Sequence, residues 1–143
     1  MKKKCIRKET IIYVVLILTI LLSRLNKIVD LDGLWLWDDE MAYWGHAANI
    51  MGLSWTETAE SWYSYGYSLF LLPLFLITHN ITYLYRMAIV LNAIVAVIGF
   101  VLGKKIICEL DAKCNEITAM FIAFVATCYS AYIYQSNIAW SET

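Results

Sequence analysis

The sequence predicts an all-α integral membrane protein, and three observations carry that prediction. Of its 143 residues, 61% are hydrophobic and 16% are charged, against about 45–50% and about 25% in a typical soluble domain. The apolar residues fall into long runs separated by short polar stretches, and the mean hydropathy is +0.61. The charge sits between the runs: seven of the twelve acids, and five of the six tryptophans, lie within residues 30–64. Together these describe apolar helices that close their own backbone hydrogen bonds in lipid, joined by an external acidic loop.

The same numbers exclude other classes. A net charge of −1 supplies no basic stripe for tracking phosphates, so no nucleic-acid partner is expected. One proline and six glycines leave no flexible linker, and no internal repeat or low-complexity tract is visible. Cys5, Cys108, Cys114 and Cys128 show no CxxC spacing and histidine is limited to His46 and His79. Neither a zinc site nor a disulfide framework is expected from that set.

Residues 1–10 form a leader with five of the eleven basic residues between Met1 and Lys8. Ile11 to Leu22 then supplies twelve apolar or threonine positions, and a weaker continuation to Val29 completes a first span at 11–29. A signal peptide has the same order, but Ser23-Arg24-Leu25-Asn26-Lys27 offers no small-residue cleavage site. The basic leader places the N-terminus in the cytoplasm. Arg24 and Lys27 run against that rule, and as long side chains near a helix end they are expected to snorkel to the headgroups.

Within the external loop at 30–64, Asp38 or Asp39 is suited to cap a helix running to about Met51, before Gly52. On that helix Trp37, Met41, Trp44 and Ala48 fall at i, i+4, i+7 and i+11, while Asp39, Tyr43 and His46 share another face. The spacing predicts a juxtamembrane amphipathic helix with its rings to lipid and its polar face to a cavity. Ser54 to Glu60 predicts a second short amphipathic helix, with Ser54 and Glu57 as a capping box.

Residues 65–78 are apolar but few, with Pro73 inside; at 1.5 Å per residue they cover about 21 Å, less than the ~30 Å hydrocarbon core. They predict a re-entrant or juxtamembrane helix. Further spans are expected at 83–103 and 117–136, around a cytoplasmic loop at 104–116, and residues 137–143 open a second external loop. If 65–78 does not cross, the three spans run in–out, out–in and in–out. Lys104, Lys105 and Lys113 then lie inside, and Glu142 emerges beside Asp38-Asp39-Glu40. If it does cross, the lysines fall outside and Glu142 faces the other compartment. The chain stops just after an apolar segment, at Trp140-Ser141-Glu142-Thr143, with no terminating signal, so an N-terminal fragment is expected.

An acid cluster at a membrane surface has three uses: general base, divalent-cation ligand or helix cap. Flanking tryptophans shape an interfacial pocket, and transfer between a lipid-borne donor and a polar acceptor needs such a place, with the base about 3 Å from the acceptor hydroxyl. No cofactor is required by the pattern; a Mg or Mn ion would find its ligands in Asp38, Glu40 and Glu142. His46 reads either as a ligand-binding residue or as a plain polar-face residue. Arg86 follows Tyr83-Leu84-Tyr85 at the external end of a span, where it contacts an anionic headgroup or phosphate, or simply snorkels.

Several segments, in order, resemble the start of GT-C membrane glycosyltransferases, more narrowly the protein O-mannosyltransferase and aminoarabinose-transferase-like group. They are Leu21-Leu22-Ser23-Arg24-Leu25, Trp37-Asp38-Asp39-Glu40-Met41-Ala42-Tyr43, Ala47-Ala48-Asn49-Ile50-Met51-Gly52 and Tyr65-Gly66-Tyr67-Ser68-Leu69-Phe70 with Pro73. Arg86-Met87-Ala88-Ile89-Val90-Leu91-Asn92-Ala93 through Gly103-Lys104-Lys105 is similar to a later span of that group, and Ser141-Glu142 to the opening of its second external loop. The chain departs from the group at Tyr65-Gly66-Tyr67, where paired prolines are usual, and in ending where further spans and a soluble domain would follow.

The resemblance implies GT-C-like N-terminal transmembrane helices and an inverting hexosyl- or pentosyltransferase of the inner (plasma) membrane. The donor would be a polyprenyl-phosphate-linked sugar, and the acceptor a hydroxyl on a protein, lipid or glycan. Asp39 matches the group's Asp before Glu and takes the base role; Glu40 is its catalytic companion. Asp38, Tyr43, His46, Arg86 and Glu142 are the candidate substrate contacts. The rival expectation is a small non-enzymatic membrane subunit or a transporter fragment, although a transporter would carry its acids within the spans.

Overall fold

The computed structural model describes residues 8–26, 28, 38–53, 65–111, 114–130 and 133, with 38–40 described as helix backbone. Among these residues there are five helices and no strand: α1 (Lys8–Leu25), α2 (Asp38–Ile50), α3 (Tyr65–Phe75), α4 (Ile81–Leu110) and α5 (Glu116–Thr127).

α1 follows the Ile11–Leu22 run, and its hydroxyls turn inward to the backbone: Thr19 Oγ1 donates to Val15 O at 2.9 Å and Ser23 Oγ to Ile20 O at 2.8 Å. Such back-bonding hides polar atoms in an apolar helix. α4 starts where Asn80 caps it, its Oδ1 accepting from the Tyr83 N–H at 3.2 Å. It continues for 30 residues, about 45 Å. It therefore extends past the expected 83–103 span, and Lys104 and Lys105 are helical instead of lying in a loop at 104–116. Lys105 pairs with Glu109 one turn on, at 3.8 Å, and the polar connection shrinks to residues 111–115. Asn115 caps α5, accepting from the Ile117 N–H at 3.0 Å. α5 ends at Thr127 after twelve residues, so the segment expected to span continuously from 117 to 136 is interrupted at Cys128. Residues 131–132 and 134–143 lie outside the described set.

α4 is the wall that the other helices share. Its first third packs with α2 and α3 around Trp44, Leu71, Phe75, Leu84, Tyr85 and Ile89, and Leu25 and Ile28 from the end of α1 pad the same core. Its second half packs with α1 and α5 around Leu16, Ile20, Phe100, Met120 and Ala123. The Tyr13 ring lies 5.5 Å from that of Phe100, while Arg24 reaches Thr127 at the far end of α5. α1 and α5 thus run parallel, and α4 runs against both. Lys8, Lys104, Lys105 and Glu116 mark one end of this bundle, and α2 and α3 the other.

By length and composition one described helix, α4, is able to cross a membrane on its own, and 22% of its most apolar stretch is buried. α1 carries Lys8, Glu9 and Arg24 within its eighteen residues, and α3 and α5 are short apolar helices. Between their charged ends the helices nonetheless carry apolar outward stripes: Ile11, Val14, Val15, Leu18 and Leu22 on α1, and Ile94, Ile98 and Leu102 on α4.

Candidate functional site

α2 carries the acids, and its geometry begins at its C-terminal end. Gly52 adopts φ +75, which a β-carbon would disfavour. The Leu53 N–H donates to Ala48 O at 2.9 Å and the Gly52 N–H to Asn49 O at 3.0 Å, while Leu53 packs into the core. This is a Schellman stop, and it ends the helix where the Met51-Gly52 pair predicts. At the other end Asp38, Asp39 and Glu40 all occupy the first turn, where unpaired N–H groups and the helix dipole favour carboxylates.

The expected division of α2 into a lipid-facing and a cavity-facing row does not hold. Trp44 is 1% exposed and Ala48 fully buried; the Trp44 ring sits 5.8 Å from Phe75 and 6.4 Å from Tyr85. Every residue from Ala42 to Ala48 is buried. Ala42, Gly45, Ala47 and Ala48 are small enough to let α2 come close to its neighbours, so the helix folds onto α3 and α4 instead of lying on the bilayer. The indole is a core residue.

Tyr43 and His46 do come together, both facing α3. Tyr43 meets Tyr67 edge-on at 5.7 Å, and the His46 ring, 4% exposed, lies 4.6 Å from that of Tyr65. Asp39 is one helical turn before Tyr43. Tyr67 in turn donates its hydroxyl to Asn92 Oδ1 on α4 at 3.1 Å. Arg86 is half-buried on the first third of α4. Glu142, Trp37, the segment 54–60 expected to form a second amphipathic helix, and the side chains of Asp38, Asp39 and Glu40 lie outside the described residues. Among the described residues no three of His, Cys, Asp and Glu gather to hold a metal ion, and Cys108, Cys114 and Cys128 carry free thiols.

Two features were missed by sequence reasoning. Arg24 does not snorkel: it is 2% exposed, and its Nη2 donates to Thr127 O at 2.7 Å across 103 residues of chain. Its Nη1 reaches Ser23 Oγ at 3.3 Å, and Nε has no partner. A cation on a terminal carbonyl complements the helix dipole and satisfies an acceptor that helix ends leave open. Arg24 thereby caps α5 at its interruption. The second feature is the Tyr67–Asn92 bond, whose only sequence signal was an amide in the midst of an otherwise apolar run. Ser68 Oγ and Trp44 Nε1 are buried without a partner in the same α2–α3 layer.

No protein-family model matches the chain, and no curated protein or solved structure matches it either.

Proposed function

We propose that the chain is a three-span membrane protein forming the N-terminal, donor-side portion of a GT-C-like glycosyltransferase, acting at the external face on a polyprenyl-phosphate-linked sugar. The observation that carries this reading is the docking of the acid-bearing helix α2 at the end of the bundle opposite Lys8, Lys104 and Lys105. With basic residues retained in the cytoplasm, the α2 end of the bundle, whose first turn holds Asp38, Asp39 and Glu40, lies on the external side. The antiparallel run of α4 between α1 and α5 supports the same parity, and the exposed apolar stripes suit a lipid surround better than water.

In this mechanism the Asp39 carboxylate removes the proton of the acceptor hydroxyl. The hydroxyl oxygen attacks the anomeric carbon on the face opposite the phosphate, and that new C–O bond forms as the bond to phosphate breaks. Polyprenyl phosphate leaves with the electron pair, giving inversion. Glu40 and Asp38 position the acceptor, and Arg86 offsets charge on the leaving phosphate. The test is sugar transfer from a radiolabelled polyprenyl-phosphate donor in membranes containing the wild type or Asp39→Asn. Loss of a general base lowers the rate by about 10²–10⁴-fold; equal rates would refute the role of Asp39.

A further inference from the structure

We infer that Asn92 is the positioning residue that seats the N-terminal end of α3 half way down α4, making α3 a re-entrant helix. The inference rests on the membrane reading above and goes beyond it in naming a depth and an anchor. Asn92 lies eleven residues after the start of α4 and twelve before Lys104, about 17 Å and about 18 Å along the axis. It is therefore the mid-height residue of the stretch bounded by Asn80 and the lysine pair. An amide there is costly in hydrocarbon unless bonded, and its Oδ1 accepts from the Tyr67 hydroxyl at 3.1 Å.

Tyr67 stands in the first turn of α3, eight residues before that helix ends. The short connection of residues 76–80 then returns the chain to the start of α4, so α3 lies against α4 as an antiparallel αα-hairpin. The N-terminal end of α3 is consequently its deep end. Tyr43 leans edge-on against the Tyr67 ring and His46 against Tyr65, while Trp44 meets Phe75 and Tyr85 near the start of α4, so α2 rests across α3. Asn92 thus fixes, through the Tyr67 hydroxyl, the depth of the helix on which the acid-bearing α2 is docked.

The test uses the chain in phosphatidylcholine vesicles with its cysteines replaced by serine and a bimane on Leu69→Cys, an exposed position of α3. Quenching by nitroxides deep in the acyl chains is compared with quenching by headgroup nitroxides. Deep quenching dominates in the parent. Tyr67→Phe removes only the hydroxyl and Asn92→Leu replaces the amide; each lowers the ratio of deep to shallow seating by roughly five-fold, the scale of one hydrogen bond in an apolar setting. The double variant falls no further than either single one, because both remove the same bond, and Asn92→Gln, which keeps an acceptor, restores part of the deep signal. Shallow quenching in the parent, or an unchanged ratio in both single variants, would overturn the inference while leaving the membrane reading intact. Release of the parent from vesicles by carbonate would overturn both.

Discussion

Replacing Trp44 by alanine separates a lipid-facing indole from one in the protein core. In the structure the ring is 1% exposed and faces Phe75 at 5.8 Å and Tyr85 at 6.4 Å. Each aromatic pair contributes about 0.5–1.5 kcal/mol beyond its buried area, so the two contacts alone account for about 1–3 kcal/mol. The cavity left by a truncated buried aromatic raises the full loss to about 3–5 kcal/mol. Trp44→Phe keeps most of the ring and removes an Nε1–H that has no acceptor. Its cost should stay below about 2 kcal/mol, because no hydrogen bond is broken and the volume change is small. The assay is loss of helical circular dichroism in mixed micelles as the denaturing detergent fraction rises. A Trp44→Ala cost under about 1 kcal/mol, the scale of surface substitutions, would refute the core placement of α2.

Three smaller predictions concern the ends of helices. Gly52→Ala places a β-carbon at φ +75 and should lower stability by about 1 kcal/mol in the same titration. Arg24→Met leaves the Thr127 carbonyl without its donor, so the end of α5 loosens; stability should fall by about 1–3 kcal/mol and alkylation of Cys128 should quicken. Lys104 sits 5.7 Å over the Tyr13 ring and 3.5 Å from Glu116, whose side chain is largely exposed. Lys104→Ala should therefore cost under about 1 kcal/mol, and less still in high salt.

The helical class and the stop of α2 at Gly52 were legible because they depend on local chemistry: apolar runs, capping side chains and a residue that tolerates positive φ. The face of α2 was only half legible. Periodicity groups Trp44 with Ala48 correctly, but it cannot say whether an apolar face meets lipid or other helices, since both are apolar. Arg24 was misjudged for a related reason. Charge counting treats it as a cation near a helix end, while its partner is a carbonyl 103 residues away. The interruption of α5 was hidden as well, because the Tyr, Ala and Ile residues after Cys128 still read as a continuation of the apolar run. For the candidate site, the pairing of Tyr43 and His46 on one face was visible, whereas their aromatic partners on α3 depend on how the α3–α4 hairpin closes.

The most direct test of the account compares two positions from outside sealed cells with a membrane-impermeant maleimide. One is a single cysteine at Asp38→Cys, in the first turn of α2; the other is the native Cys114, in the connection between α4 and α5. The account predicts labelling at position 38 and none at Cys114 until the membrane is permeabilised. Equal labelling of both from the same side would contradict it, because the acidic helix and the lysine-bearing end of the bundle would then share one compartment.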